Sequence, residues 1–279
     1  MHRYFLRLWR ACRSDRFEVN VSNRLPISAA IITLNEEKNL RRCLESLREL
    51  VSEIVIIDSG STDGTRAIAG EFGAVFETVP WPGHVAQKNN ALDRCRQPWA
   101  LCVDGDEAVS PELAQAIRQH FAGGDARGNG FYVNRLNFYL GEWIRHAWQP
   151  EWRLRLVRRS AGPKWGGLDP HDRLEVVGPT DRLSGNLLHW SFTSLDDHFH
   201  KTLQYARIMA GSYAKTGRPC RWYHVIFSPW MAFLKILVLR SGWRDGWRGW
   251  VIAGAKWLNV FAKYAFLLER RWPKPEERP

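Results

Sequence analysis

The acidic run Asp104-Gly-Asp106-Glu107 holds two carboxylates at i and i+2. At the end of a strand that relaxes into a loop, both can face one cavity. Such oxygen ligands suit Mg2+ or Mn2+, hard cations that keep several waters and bind substrate phosphates. A metal there would neutralise a leaving diphosphate. Alone, the run also reads as a solvated acidic turn, and the further ligands of a helix–loop–helix calcium site are missing. A second cluster, IIDSGSTDGT (56–65), puts Asp58 at the end of an apolar run. A buried carboxylate needs a partner, and a base edge or a sugar hydroxyl would serve. Asp63 suits a helix cap better. Lys88 and Asn89 form a third cluster, able to reach a phosphate from a helix start.

Alternating segments must position these clusters. ISAAIITL (27–34) is an apolar run of strand length, and Asn35 then offers an N-cap for the amphipathic helix EEKNLRRCLESLREL. Its stripe Leu40, Cys43, Leu44, Leu47 has helical spacing. EIVIIDS (53–59), AVFETV (74–79) and WALCVDGDE (99–107) read as strands. RAIAGEFG closes on Gly73, HVAQKNNALDRC (84–95) is a helix, and Ser110-Pro111 opens another with Ser as N-cap. This alternation predicts a parallel sheet covered on both faces. Ligands bind such sheets at the carboxyl ends of the strands. Thr33–Glu36, Asp58–Asp63 and Asp104–Glu107 all fall at such ends, which is stronger evidence than any one of them.

The character changes at GGDARGNG (123–130), a turn-rich connector. Segments 130–138, 151–158 and 173–177 read as strands with long loops, and 194–217 as a helix ending at Gly217. Two apolar runs follow, 222–239 and 250–269. Each approaches bilayer-spanning length, about 20 residues. Pro229 and Lys235 interrupt the first, Lys256 and Lys263 the second, and the last two share a helix face. Amphipathic helices lying in a membrane interface fit better than spanning ones. A helix pair packed on the catalytic domain is the other reading.

The 279 residues suffice for one large α/β domain with an appendage, or for two small domains. A net charge of +11 calls for an anionic partner: nucleic acid, anionic lipid or a phosphorylated substrate. No RNP motif, finger spacing or basic heptad supports nucleic acid. Of 15 tryptophans, Trp222, Trp230, Trp243, Trp247, Trp250, Trp257 and Trp272 lie in the last quarter. With Lys and Arg this is the composition of a membrane interface; a Trp-rich core is the alternative. The five scattered cysteines form no CxxC pair, which speaks against zinc or a disulfide framework and fits a reducing cytosol. The basic N-terminus has no apolar run of a secretory signal; it reads as a short surface helix or a tail.

Four motifs, IITLNEEKNLRRCLESL, VIIDSGSTDGT, QKNNAL and VDGDE, resemble in order and spacing the family 2 glycosyltransferases over residues 27–122. These are inverting enzymes of the GT-A fold. WRLRLVRR (152–159), His171-Asp172, Leu188-His189 and RSGWRDGWRGWVIA (240–253) resemble a subgroup. It comprises bacterial lipopolysaccharide core glucosyltransferases of the beta-1,4 type that act on the inner-core heptose. The resemblance implies that Thr33, Asn35 and Glu36 line the nucleotide pocket and that Ser61 binds the donor. Asp58 would hold the uracil or ribose, and Lys88 would approach the base or diphosphate. Asp104 would contact ribose and metal, and Asp106 would ligate the metal. The pair at 171–172 is more usually His-Glu in this subgroup; here the acid is one methylene shorter.

Transfer needs a carboxylate to deprotonate the acceptor hydroxyl as it attacks the anomeric carbon opposite the diphosphate. Asp172, with His171, is the candidate; Asp169 and Glu151 compete. A salt bridge from Asp172 to Arg173 or Arg153 is the non-catalytic alternative. Arg153, Arg155, Arg158 and Arg159 alternate in a strand pattern that sends Arg153 and Arg155 to one face. There they would bind heptose phosphates or headgroups.

The expected fold class is therefore α/β, a GT-A, Rossmann-like and mostly parallel sheet with helices on both faces, plus a C-terminal helical membrane-associating segment. Residues 1–24 would be a basic extension, 25–122 the nucleotide-sugar-binding half, 123–192 the acceptor-binding half and 193–279 amphipathic helices. The expected protein is an inverting hexosyltransferase dependent on Mg2+ or Mn2+. It would pass glucose from a UDP-sugar to a lipid-linked inner-core acceptor, peripherally at the cytoplasmic face of the bacterial inner membrane, without nucleic acid. A polyprenyl phosphate or another saccharide is the alternative acceptor. A non-enzymatic nucleic-acid- or membrane-binding protein is the alternative class.

Overall fold

The computed structural model describes residues 24–123, 128–168, 171–192 and 194–270. The expected N-terminal extension up to residue 23, Asp169 and Trp272 lie outside the described residues.

Strand β1 (Leu25–Thr33) is buried along most of its length, as a strand covered on both faces must be. It pairs in parallel with β2 (Val51–Asp58) and β4 (Trp99–Asp104), and β2 pairs with β3 (Val75–Thr78). Helices α1 (Glu37–Leu47), α2 (Thr65–Glu71) and α3 (His84–Asp93) make the crossovers. The predicted stripe Leu40, Cys43, Leu44 and Leu47 is the buried face of α1. Asn35 does not cap that helix. It sits in the left-handed region at φ 56, which Asn tolerates, and its side chain serves a neighbouring loop instead.

Past β4 the sheet becomes mixed. After β5 (Glu107–Val109), Ser110 caps α4 (Pro111–Phe121) as expected, accepting a bond from Leu113 N at 3.2 Å. Strands β6 (Gly130–Tyr139), β7 (Glu142–Trp143) and β8 (Trp152–Arg158) follow. The hairpin β9 (Lys164–Leu168) and β10 (His171–Glu175) and the strand β11 (Thr180–His189) complete the set. The nine-stranded sheet runs β3-β2-β1-β4-β8-β6-β11-β5, with β7 on β6. β8 is antiparallel to β4 and β6, β6 and β11 are parallel, and β5 is antiparallel to β11. One core packs α1 and α4 on one face; the other packs Ala91, Leu92, Trp165 and Leu174 on the opposite face.

Helix α5 (Leu195–Lys215) begins at a Ser194 cap, and α6 (Trp222–Leu234) continues into a π-helical turn over Lys235–Leu239. A short turn, Gly242–Asp245, leads into α7 (Trp247–Glu269), which packs on both α5 and α6. The turn and α7 touch so closely that a Cβ on Gly249 would lie 1.7 Å from Gly242 O. Trp222–Leu239 and Trp247–Glu269 are long and apolar enough to cross a membrane. Trp222, Phe227, Met231 and Leu239 are more than half exposed, at 67%, 61%, 67% and 79%. Lys256 and Lys263 do not form the expected common polar face. Lys256 is exposed, whereas α5 covers Lys263, whose ammonium lies 4.6 Å and 4.3 Å from the Tyr213 and Tyr264 rings.

Asp245 joins this helical part to the sheet. Its buried carboxylate accepts from the backbone N–H of Arg145 (3.0 Å), His146 (3.1 Å) and Ala147 (2.7 Å) and meets His146 Nδ1 at 3.0 Å. Bonds to a charged group are worth about 1.5–3 kcal/mol each, and buried donors left unmet cost a similar amount. Asp245→Ala should therefore lower the melting temperature by about 5–10 °C in calorimetry. An unchanged Tm would show that the joint is solvated and contributes nothing.

Candidate active site

The carboxyl ends of β1, β2 and β4 meet because the strands pair in register: Thr33 lies beside Asp58 and Ile32 beside Asp104. The three predicted polar clusters thus share one sheet edge.

The first two clusters lock each other. Asp58 is 2% exposed, and the protein fills its carboxylate. Oδ1 accepts from Thr33 Oγ1 (2.9 Å) and Ser61 Oγ; Oδ2 accepts from Gly60 N (2.9 Å) and Ser61 N (2.7 Å). The external partner expected for Asp58 is not needed to satisfy its burial, because its own loop supplies three donors and Thr33 on β1 a fourth. Ser61 Oγ accepts from Asn35 N at 2.8 Å, and Asn35 Oδ1 accepts from Thr62 N at 2.9 Å. Glu36 N donates to Thr65 Oγ1 (2.9 Å), and Glu37 N donates to Asp63 (3.1 Å). The open N–H groups at the start of α1 are thereby met from the second loop. Asp63 also accepts from Thr65 N at 3.0 Å; it stands one residue before Gly64, which holds the cap position of α2.

The acidic loop packs on these two. A Cβ at Gly105 would stand 3.1 Å from Glu36 Cγ and 3.2 Å from Thr33 Cγ2, so the approach leaves little room for a side chain. Burial raises the Glu36 carboxyl; Asn39 counters part of this, and Asp106 and Asp104 add to it.

Behind the loop runs a chain of buried ions. Lys88 Nζ lies 3.1 Å from Asp104 and 2.8 Å from Asp172, over the Trp165 ring at 4.6 Å. Arg155 Nη2 lies 3.2 Å from Asp104 and 2.7 Å from Glu107. Glu107 also accepts from Asp104 N at 2.9 Å and faces Arg135 at 3.5 Å. Arg135 (2.6 Å) and Arg153 (2.8 Å) then hold Glu151. Burial opposes the charge on Asp104, but Lys88 and Arg155 hold its carboxyl well below the usual range. Burial likewise opposes the Lys88 ammonium, and Asp104 and Asp172 more than offset it, so its pKa is raised.

Several sequence expectations change here. Arg153 and Arg155 do not share a face, because β8 carries one extra residue: Leu156 pairs with Phe131 and Leu154 with Tyr132, leaving Arg155 as a bulge. Arg155 turns under Asp104 and Trp165, while Arg153 stays on the face of Val133. Arg155 is therefore occupied by carboxylates rather than open to an acceptor phosphate. Glu151 competes poorly as a base: burial raises its carboxyl, but Arg135 and Arg153 hold it at about 2. Asp172 pairs with Lys88, not with Arg173 or Arg153. Asn89 is committed to the Trp165 backbone through bonds of 3.0 Å and 2.9 Å. The side chain of His171 lies outside the described residues.

Asp106 stands apart from the ion chain. Among the described residues its carboxylate has one ion-pair neighbour, His189 Nε2 at 3.3 Å. The described residues contain no group of three His, Cys, Asp or Glu side chains able to hold a metal alone. A carboxylate and an imidazole still suit a hard divalent cation that completes its shell with phosphate oxygens and water. Asp104, between two cations, suits it less. Sequence reasoning assigned no site role to His189, Asn137, Arg135 or Trp165. Leu188-His189 at a strand end, after alternating Arg135 and Asn137 on a neighbouring strand, was the available signal.

The family model described as glycosyl transferase family 2 matches residues 28–173, from β1 to β10. The chain belongs to this family. Full-length similarity agrees: LpsC of Rhizobium meliloti, a lipopolysaccharide core biosynthesis glycosyltransferase, is 34% identical over 88% of this chain and 90% of its own. An uncharacterised glycosyltransferase of Rickettsia typhi is 28% identical over 81% and 80%. A mannosyltransferase of Pyrobaculum calidifontis, solved with GDP-mannose and Mn2+, is 15% identical at a TM-score of 0.47, covering 97% of this chain and 95% of that one. As a family 2 glycosyltransferase, the chain has the α/β class and helical coverage expected of GT-A, with the mixed half of the sheet added to the parallel half.

Removing one partner from a buried ion pair costs about 3–5 kcal/mol, because the other charge is left unmet. Glu107→Ala removes the nearer carboxylate of Arg155, whose side chain is 3% exposed, and leaves it Asp104 alone at 3.2 Å. Its Tm should fall by about 10 °C. A shift within the error of the measurement would show that water replaces Glu107 at no cost.

Proposed function

We propose that this family 2 enzyme moves a hexose, glucose in the first instance, from a UDP-sugar to a heptose of the lipopolysaccharide inner core, inverting the anomeric centre. The carrying observation is the 34% identity to LpsC over nearly the whole chain. The site chemistry is compatible with it. Asp172 accepts the proton of the acceptor hydroxyl while that oxygen bonds to the anomeric carbon. The bond from that carbon to the diphosphate breaks, and UDP leaves with the electron pair. Lys88 holds Asp172 at 2.8 Å in the protein alone. An arriving diphosphate competes for this ammonium, which frees Asp172 to act as base. Asp106 and His189 would hold Mg2+ or Mn2+, which supplies charge neutralisation to the leaving diphosphate.

The remaining donor residues divide by what they already bond. Asp58, Ser61 and Asn35 are committed to the loop lock, so they shape the nucleotide cradle. Thr33 packs against Gly105, and Glu36, with its raised pKa, faces the acidic loop. Arg153 keeps a side chain 42% exposed at the rim, where it can meet an acceptor phosphate. Residues 25–122 would then serve the donor, and 123–192 the acceptor while lending His189 to the metal.

Transfer from UDP-glucose to purified core acceptor, read by mass shift, tests this reading. Activity should vanish with excess chelator and return with Mn2+; full activity in chelator removes the metal role. Asp172→Asn should lower kcat by about 100-fold or more, with the donor KM little changed. Unchanged turnover would move the base elsewhere.

The exposed apolar face of α6, with Lys235, Arg240 and Arg244 beside it, fits peripheral binding to the anionic cytoplasmic leaflet of the inner membrane. Phe227→Asp with Met231→Asp should abolish co-sedimentation with phosphatidylglycerol vesicles at unchanged Tm. Undiminished binding of this double variant would rule the α6 face out.

A further inference from the structure

Three side chains stand in line behind Asp106. β11 pairs with β6 so that His189 lies level with Asn137. His189 Nδ1 is 2.6 Å from Asn137 Oδ1, and Asn137 Nδ2 donates to Glu151 Oε2 at 3.1 Å. Asn137 is 4% exposed and His189 9%. Water therefore has little access to either.

The protonation pattern follows from the far end. Glu151 sits between Arg135 and Arg153 and stays ionised, so it only accepts hydrogen bonds. The Asn137 group facing it must be the NH2. The amide oxygen then faces His189, and an amide oxygen cannot donate. Nδ1 must carry the hydrogen. In the neutral ring that leaves the lone pair on Nε2, which points at Asp106 Oδ2 from 3.3 Å. Nε2 and Oδ2 are then both acceptors turned on one another, a pairing that favours a shared cation. Reversing the amide would set its oxygen against the Glu151 carboxylate, so burial and charge together hold one orientation.

We propose that Asn137 is a positioning residue: backed by Glu151, it holds His189 in the Nδ1–H tautomer and so presents Nε2, with Asp106, to the divalent cation. This rests on the Asp106–His189 cation reading, but the tautomer itself does not. Outer partners of this kind commonly change metal affinity by about 10–100-fold when removed.

The test uses full-length protein labelled with 15N-histidine. Long-range 1H–15N spectra report the tautomer of each ring, and His189→Gln identifies the His189 signals. Wild type should show Nδ1–H at His189, and Asn137→Ala should give a tautomer mixture. Asn137→Leu replaces the alanine variant if that one does not fold. Mn2+ titration calorimetry with UDP present should show affinity about 10–100-fold weaker in Asn137→Ala or Asn137→Leu than in wild type. A wild-type Nδ1–H signature that persists in Asn137→Ala or Asn137→Leu overturns the proposal. So does a tautomer mixture with undiminished Mn2+ affinity. Wild type that shows the tautomer but binds no Mn2+ overturns the cation reading and leaves the tautomer assignment standing.

Discussion

Burying a charge without a partner costs several kcal/mol, and this structure buries a chain of them. Asp172, Asp104, Glu107 and Glu151 alternate with Lys88, Arg155 and Arg135, and the chain ends at the half-exposed Arg153. The members come from α3, β4, β5, β6, β8, β10 and the turn before β8. No subset of these elements satisfies the chain. The parallel half contributes Lys88 and Asp104, and the mixed half contributes the rest. Assembly of the ions and assembly of the two halves are therefore one event. The bulge in β8 belongs to the same requirement: it costs a ladder position and turns Arg155 beneath the acidic loop.

The same pairing assigns labour within the acidic run. Glu107 faces inward and holds two arginines and the Asp104 N–H. Asp104 is shared between Lys88 and Arg155. Only Asp106 keeps a carboxylate with no Lys or Arg partner among the described residues. Three acids within four positions thus do three different things, and orientation rather than sequence order separates them. Fixed charges and dipoles already in place need little reorganisation when charge develops on a leaving group. In the proposed donor site, the crossed hydrogen bonds between the β1 and β2 loops would serve that end, since they are already made in the protein alone.

The parallel half was legible because its strands are continuous apolar runs, its helices carry one apolar stripe, and both signals are local. Ser110 as a cap and Gly73 as a stop were legible for the same reason. The rest depends on pairing. β11 escaped notice because its apolar residues are thinly spread around Gly185 and only β6 and β5 make it a strand. Strand alternation misassigned Arg155, since a bulge is a property of two strands. Asp58 was read as needing a ligand because Thr33, a strand away, could not be seen as its donor. His189 and Asn137 were invisible as a pair: neither residue type nor spacing shows that β11 lies parallel to β6. The four family motifs marked one sheet edge; they could not divide its residues into those that bond one another and those left open.

The C-terminal helices raise a geometric question that the Asp245 joint answers. A lipid-linked acceptor is confined to a surface, so a transfer site tilting freely above it would rarely meet the acceptor hydroxyl. Three backbone N–H groups on one buried carboxylate leave little room for tilt. The segment they clamp, Arg145–Ala147, lies between β7 and β8, just before Glu151 and Arg153. Gly249 lets α7 lie directly on the turn that carries Asp245. In the proposed membrane setting, the apolar face of α6 fixes the height of α7, α7 fixes the turn, and the turn fixes the strands around the acceptor side. Orientation is then built into the fold, and less of it has to be found by diffusion.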